Sequence, residues 1–155
     1  MKYYIKQHVF TFGDQFDIYD QDSNVVYTCQ GEVFTFGKKL HVYDVSGDEV
    51  LYIEQELFNF TPTYVLYKLG NPIARVKKNF TLFTHDYRVE GMNIQVEGEV
   101  FAHEFSVLQD DYPVATISKE WFTFGDAYQI DIDAENELDI LGICLCIDAS
   151  IEQNN

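Results

Sequence analysis

Basic residues are concentrated in one stretch of the chain, and clustered positive charge is the simplest pattern that predicts an anion-binding surface. Half of the ten lysines and arginines lie in that stretch: Lys68, Arg75, Lys77, Lys78 and Arg88. Arg75 and Lys77 share one face of a predicted strand, and Arg88 takes an outward position on the next strand. Together with Lys78 they are our candidate anion-binding residues. The alternative is a solvated strand surface, balanced by acids such as Glu90.

No other group of residues predicts a reactive site. The histidines are scattered, without a partner at zinc-ligand spacing: His8, His41, His85 and His103. Segments 20–24 and 131–135 begin like a calcium loop, but Gly31 and Gly142 stand where its glutamate belongs. A hairpin turn and the approach to a helix explain these segments better. Motifs for a nucleophile elbow, a phosphate loop or a dinucleotide site are missing. We therefore predict no catalytic residues, no metal site, no cofactor and no enzymatic activity.

The cysteines indicate a reducing environment. There are three, an odd number, at positions 29, 144 and 146. Cys144 and Cys146 lie in an apolar run and point apart on a helix, while Cys29 lies in a strand-like segment. We predict that all three are buried free thiols. Because the N-terminus also lacks an apolar segment of signal-peptide length, the predicted location is the cytoplasm.

An internal repeat organises most of the chain. Segments 9–13, 33–37 and 121–125 share an aromatic-Thr-Phe-Gly core, and weaker copies lie between them. The last aromatic residue of each copy, which we call the anchor, is Phe12, Phe36, Phe60, Phe83, Phe101 or Phe124. Four residues later stand Phe16, Leu40, Tyr64, Tyr87, Phe105 and Tyr128, and six residues later Ile18, Val42, Leu66, Val89, Val107 and Ile130. Five of the six residues between these two sets are polar. This alternation predicts strands with one buried face, and we expect the anchors to pack in the core as well.

Turn residues between the apolar segments divide the six copies into six hairpins. The predicted strands cover residues 3–12, 15–20, 25–35, 39–45, 50–60, 63–69, 73–82, 86–90, 94–101, 104–109, 114–124 and 127–132. Each strand is expected to pair with its neighbours in an antiparallel sheet. The sequence predicts a mainly β fold, a closed barrel of about twelve strands in a single domain over residues 1–155.

The last apolar segment, 138–149, predicts a helix at about 137–149. Asn136 is a suitable N-cap, and Glu137 and Asp139 favour the positive end of the helix dipole. The helix is apolar on every side, so it must be surrounded by other atoms. A twelve-stranded barrel is too wide for its own side chains to fill, so we expect the helix in its centre. The run is shorter than the roughly 20 residues of a membrane span, which disfavours a transmembrane segment.

The recurring Phe-Thr-Phe-Gly segments and the apolar C-terminal helix ending in Cys-Ile-Asp resemble the LURP-one-related family over essentially the whole chain. The resemblance implies the tubby C-terminal-like fold, a barrel around a central helix, and a distant relation to phospholipid scramblases. It implies no established biochemical activity. Tubby domains bind phosphoinositide headgroups through basic residues on the barrel wall, and this chain lacks their strongly basic surface.

Charge and architecture leave three hypotheses on function. The net charge of −16 repels nucleic acid and disfavours anionic membrane surfaces at long range. We favour a non-enzymatic cytoplasmic binding or scaffold module with an unknown protein partner on the barrel exterior or rim. The second hypothesis is binding of an anionic small ligand or headgroup at the membrane surface, through Arg75, Lys77 and Arg88. The third, a lipocalin-like carrier, requires an empty interior.

Overall fold

The computed structural model describes residues 1–6, 15–32, 35–80, 85–122 and 125–152. These residues form twelve strands, one 3-10 turn and one α-helix. The strands are β1 (Lys2–Ile5), β2 (Gln15–Tyr19), β3 (Val25–Gly31), β4 (Lys39–Tyr43), β5 (Glu49–Gln55), β6 (Thr63–Lys68), β7 (Asn71–Phe80), β8 (His85–Glu90), β9 (Ile94–Glu99), β10 (Glu104–Gln109), β11 (Tyr112–Phe122) and β12 (Gly125–Ile132). The 3-10 turn covers Val100–Ala102 and the helix α1 covers Glu137–Glu152.

The strands form one antiparallel sheet that curls into a nearly closed barrel. Its order is β8-β7-β6-β5-β4-β3-β2-β1-β12-β11-β10-β9, so the first strand pairs with the last. The described parts of β8 and β9 contact each other without forming a ladder. This seam falls on the repeat with the shortest spacing, the 18 residues from Phe83 to Phe101. The predicted barrel is confirmed, with this seam as the difference from full closure.

The predicted alternation of buried and outward residues is confirmed along the strands. All six residues four positions after an anchor are buried, from Phe16 to Tyr128. Five of the six residues at the next inward position are also buried, and Val89 is half-buried. Because alternate residues of a strand face opposite sides, this register places one continuous apolar lining inside the barrel.

The prediction that the anchors pack in the core is wrong for Phe36 and Phe60. Their side chains are 91% and 110% exposed relative to the reference value. The reason is that β3 ends at Gly31 and β5 ends at Gln55, so both anchors lie in the loops beyond the strands. Phe12, Phe83 and Phe124 lie outside the described residues, and so does the side chain of Phe101.

The helix occupies the barrel interior, as expected. It begins at Glu137, with the Ile140 amide donating to the carbonyl of Asn136. Every residue from 140 to 151 is buried, so the helix occupies the interior in which a carrier would hold its ligand. The three cysteines are buried free thiols, and burial raises the pKa of Cys144 to about 12. Among the described residues, no helix has the length and hydropathy that crossing a bilayer requires.

Candidate functional site

The four candidate anion-binding residues lie on β7 and β8, but they differ in the acidic partners of their charged groups. Arg75 is paired with acids: its Nε and Nη2 donate to the two carboxylate oxygens of Glu56 at 2.7 and 2.8 Å, and Nη1 is 3.4 Å from Glu90. The hydrogen bonds from Arg75 lower the pKa of Glu56, and the charge of Lys77 adds to this effect. The positive charge of Arg75 is therefore balanced by neighbouring acids, as in the alternative of a solvated strand surface.

Lys77 and Arg88 are brought together on the outer face, and Lys78 is not. Lys77 stands directly opposite Arg88 in the β7–β8 ladder. The Arg88 side chain is 70% exposed, and its Nε is 3.9 Å from Glu90. Lys78 follows Lys77 in the strand and so lies on the other face, where it is buried and burial lowers its pKa. The basic outer face therefore consists of Lys77 and Arg88, with Arg75 beside them.

Polar residues hold the last turn of the helix to the wall, and sequence reasoning missed this arrangement. Tyr64 Oη donates to the carbonyl of Ala149 at 3.2 Å, and Tyr128 Oη donates to Asp148 Oδ2 at 2.9 Å. The Tyr87 hydroxyl bonds to the hydroxyl of Ser150. The sequence did contain a sign of this arrangement, because the three tyrosines occupy the same inward position in three of the six repeats. From that inward position Tyr64 reaches a carbonyl that the helix end leaves unpaired, and Tyr87 and Tyr128 reach polar side chains near it.

His103 completes this polar group from the barrel wall. Its Nε2 lies 2.9 Å from the other oxygen of Asp148, Oδ1. The His103 and Tyr128 rings stack with centroids 4.9 Å apart. Asp148 is buried and has both carboxylate oxygens engaged. The arrangement therefore fixes the helix inside the barrel, which is a structural role.

A row of aromatic rings crosses the outer wall on β4, β5 and β6. His41 stands opposite Tyr52 in one ladder, and Tyr52 stands opposite Tyr67 in the next. Ring centroids are 4.8 Å apart for His41 and Tyr52, and 5.6 Å apart for Tyr52 and Tyr67. We call these three residues the aromatic row. His41 lies between the inward residues Leu40 and Val42, so the alternation places it on the outer face. The row itself depends on cross-strand register, which the sequence pattern did not supply.

Two shallow depressions lie beside the aromatic row and meet at His41. One is lined by Glu49, Tyr52, Tyr67 and Leu69, and the other by Glu32, Tyr43 and further residues of β3 and β4. His41 Nδ1 contacts Glu49 Oε1, and Nε2 is 3.6 Å from Glu32 Oε2. Burial raises the pKa of the Tyr52 phenol to about 12, and the surrounding carboxylates add to the shift. The wall here is aromatic and acidic.

Metal binding finds no support in this geometry. In the part of the chain that the structure describes, no group of three His, Cys, Asp or Glu residues is arranged to hold a metal ion. In segment 20–24, Asp20 Oδ1 accepts from the amides of Asp22 and Asn24. This carboxylate therefore closes the β2–β3 turn, as the hairpin interpretation of the segment predicted. His8 and the side chain of His85 lie outside the described residues.

A nearly closed antiparallel barrel with a C-terminal helix buried inside it defines the class of this protein: barrels whose interior is occupied by a helix of the same chain. The chain belongs to the LURP-one-related family, whose model matches residues 1–148. It is 31% identical over 135 residues to the uncharacterized protein YxjI of Bacillus subtilis. The aligned residues make up 87% of this chain and 83% of YxjI.

A solved structure supports the fold independently. The X-ray structure of a protein from Arabidopsis thaliana superimposes with a TM-score of 0.69, covering 96% of this chain and 89% of that one. The two sequences are 16% identical, so the likeness concerns the fold alone. It agrees with the tubby-like barrel that the family resemblance implied.

Proposed function

We propose that the protein is a non-enzymatic cytoplasmic binding or scaffold module whose partner docks on the outside of the barrel. The observation that carries the proposal is the filled interior: residues 140–151 of the helix are all buried against the lining of the wall. A ligand then has the outer face and the rims available to it.

Affinity capture tests where a partner binds. The full-length chain is used as bait in native cells under gentle conditions, beside one interior variant and a set of outer-wall variants. Leu141→Ala changes the buried helix, so a folded Leu141→Ala protein should retain the partner. Substitutions on one part of the outer wall should release it. A robust turnover that one point substitution abolishes, found by screening hydrolase and transferase substrates, would refute the proposal.

A second candidate function is binding of an anionic group, such as a lipid headgroup, on the basic outer face. The supporting observation is the cross-strand pair of Lys77 and Arg88. Like charges directly opposite each other destabilise a sheet, and a bound anion would relieve this repulsion. Arg88 is well exposed, whereas Arg75 already carries two carboxylate partners.

Flotation with anionic liposomes at low salt tests this candidate. Lys77→Ala combined with Arg88→Ala should abolish flotation. Lys2→Ala combined with Lys6→Ala removes the same charge from exposed residues elsewhere and should leave flotation unchanged. Absence of flotation by the unmodified protein, or equal loss in both double variants, would remove the candidate.

A further inference from the structure

We propose that the aromatic row binds an arginine side chain from a basic segment of a partner protein, with the guanidinium group over the rings and directed toward Glu49 and Glu32. The proposal rests on the proposed function, because it gives a chemical class to the partner that docks on the outer wall. It assigns a role to residues that belong neither to the basic outer face nor to the polar group that holds the end of the helix.

The rings of the aromatic row follow one another across three strands of the outer wall. His41, Tyr52 and Tyr67 come from three adjacent strands, and both inter-ring distances are under 6 Å. Cross-strand aromatic pairs also stabilise a sheet, which is a sufficient reason for the pairs themselves. It does not account for the open depressions that run along the row on both sides of His41. His41, Tyr52 and Tyr67 line these depressions, and each is half-buried.

The charges around the aromatic row attract a cation. The side chains of Glu32, Glu49 and Glu54 are each about 40% exposed and surround Tyr52. Lys39 compensates part of this charge, since its Nζ is 3.9 Å from Glu54, and His41 contacts the other two glutamates. The net charge of −16 adds a long-range attraction for a basic partner. Charge and ring faces together match a cation that can stack.

Guanidinium fits this site better than ammonium. It is planar and weakly hydrated, stacks on aromatic rings, and donates to a carboxylate from a fixed fork. The depressions are open, whereas sites for small molecules enclose most of their ligand. A side chain that is held by its own polypeptide suits an open surface. Leu69, which is 68% exposed at the edge of one depression, offers apolar contact to the aliphatic part of such a side chain.

Fluorescence anisotropy with labelled peptides tests the proposal on the full-length chain. The probe is a short Gly/Ser peptide that contains two arginines, and the comparison peptides carry lysine or glutamate at the same positions. The arginine peptide should bind more tightly than the lysine peptide, and the glutamate peptide should not bind. Equal affinity for the arginine and glutamate peptides would overturn the proposal.

Substitutions in the aromatic row locate the site. Tyr52→Ala with Tyr67→Ala should weaken binding of the arginine peptide about tenfold, since two cation–π contacts at an exposed site are removed. Tyr52→Phe with Tyr67→Phe keeps the rings and should keep binding. Tyr112→Ala removes an exposed tyrosine outside the row and should have no effect. Unchanged affinity in a folded double alanine variant would overturn the proposal.

A charge variant keeps the test decisive if the double alanine variant fails to fold. Glu49→Gln should weaken binding of the arginine peptide several-fold, whereas Glu97→Gln, at an exposed position of β9, should not. Equal effects of Glu49→Gln and Glu97→Gln on the affinity would overturn the proposed arginine site. If the peptides fail to bind but the capture experiment still gives a partner that outer-wall variants release, the arginine site is wrong and the binding module stands. A substrate turnover would instead contradict the proposed function.

Discussion

Gly142 lies where the helix packs against the wall, and its lack of a side chain is required there. A Cβ built on Gly142 would lie 2.7 Å from both terminal methyl carbons of Leu66 and 3.3 Å from one of Leu51. Leu66 has no exposed surface, so it has little room to move away. Position 142 therefore needs a residue without a side chain in order to admit the bulky Leu66 side chain from the wall.

Gly142→Ala should therefore destabilise the protein by about 1–3 kcal/mol, the usual cost of overpacking a core. The effect opposes helix propensity, which favours alanine over glycine by about 1 kcal/mol. Denaturant unfolding measures the difference. Adding Leu66→Ala should make Gly142→Ala much less harmful than it is alone, because the clash is removed. A Gly142→Ala protein that is more stable than the unmodified chain would contradict this packing.

Asp148 and Tyr128 should be energetically coupled, since their hydrogen bond joins the helix to β12 inside the barrel. Tyr128→Phe removes the donor and should cost about 1–3 kcal/mol, because the buried acceptor loses one partner. In a double-mutant cycle with Asp148→Asn, we expect a coupling energy of about 0.5–3 kcal/mol. Tyr112→Phe, on an exposed residue, is the control and should be neutral. Additive effects of the two buried substitutions would mean that the hydrogen bond contributes little.

Between elements, the pairing of Glu56 and Arg75 joins the loop after β5 to β7 and should make stability depend on pH. The pKa of Glu56 is lowered in the folded protein by hydrogen bonds from Arg75. The pairing therefore contributes stability above the ordinary glutamate pKa of about 4.3, and the contribution is lost as the pH falls. Since both side chains are about one-third exposed, we expect only about 0.2–1 kcal/mol.

Thermal melts of Glu56→Gln and the unmodified chain from neutral to acidic pH test this sign. The variant should be the less stable protein near pH 7, and the difference should shrink in acid. Glu97→Gln serves as the matched control, because Glu97 is exposed on β9. A difference that stays constant with pH, or one that grows in acid, would show that the carboxylate of Glu56 is not stabilised by Arg75.

The elements themselves were largely predictable, because each strand carries its own signal in the alternation of apolar and polar residues. The strand ends were less so: the segments containing Phe36 and Phe60 are apolar but lie beyond β3 and β5, and composition does not distinguish an exposed apolar loop from a buried strand end. The outer-wall features need pairings across the sheet. Glu56 and Arg75 are 19 residues apart in sequence, and the aromatic row appears only when three strands are set in register.

For the whole molecule, wall and helix depend on each other. The twelve strands enclose a space that their own side chains do not fill, and the helix has no polar face to present to water. Its large buried side chains are Ile140, Leu141, Ile143, Leu145, Ile147 and Ile151. Burial of each contributes roughly 1.5–3 kcal/mol, so their total is comparable with the 5–15 kcal/mol by which a typical domain is stable. The barrel wall should not persist without the helix.

Truncation after Asp133 should therefore prevent folding. Residues 1–133 retain every described strand but lose the whole of α1, and we expect them to give no cooperative thermal transition by circular dichroism. Leu141→Asp in the full-length chain should be nearly as damaging, because it places an unpaired charge at a fully buried position. Glu135→Gln, on an exposed residue just before the helix, should melt like the unmodified protein. If the helix were a detachable segment, the truncated chain would instead keep a cooperative β-type melt near that of the intact protein, and that result would contradict the filled barrel.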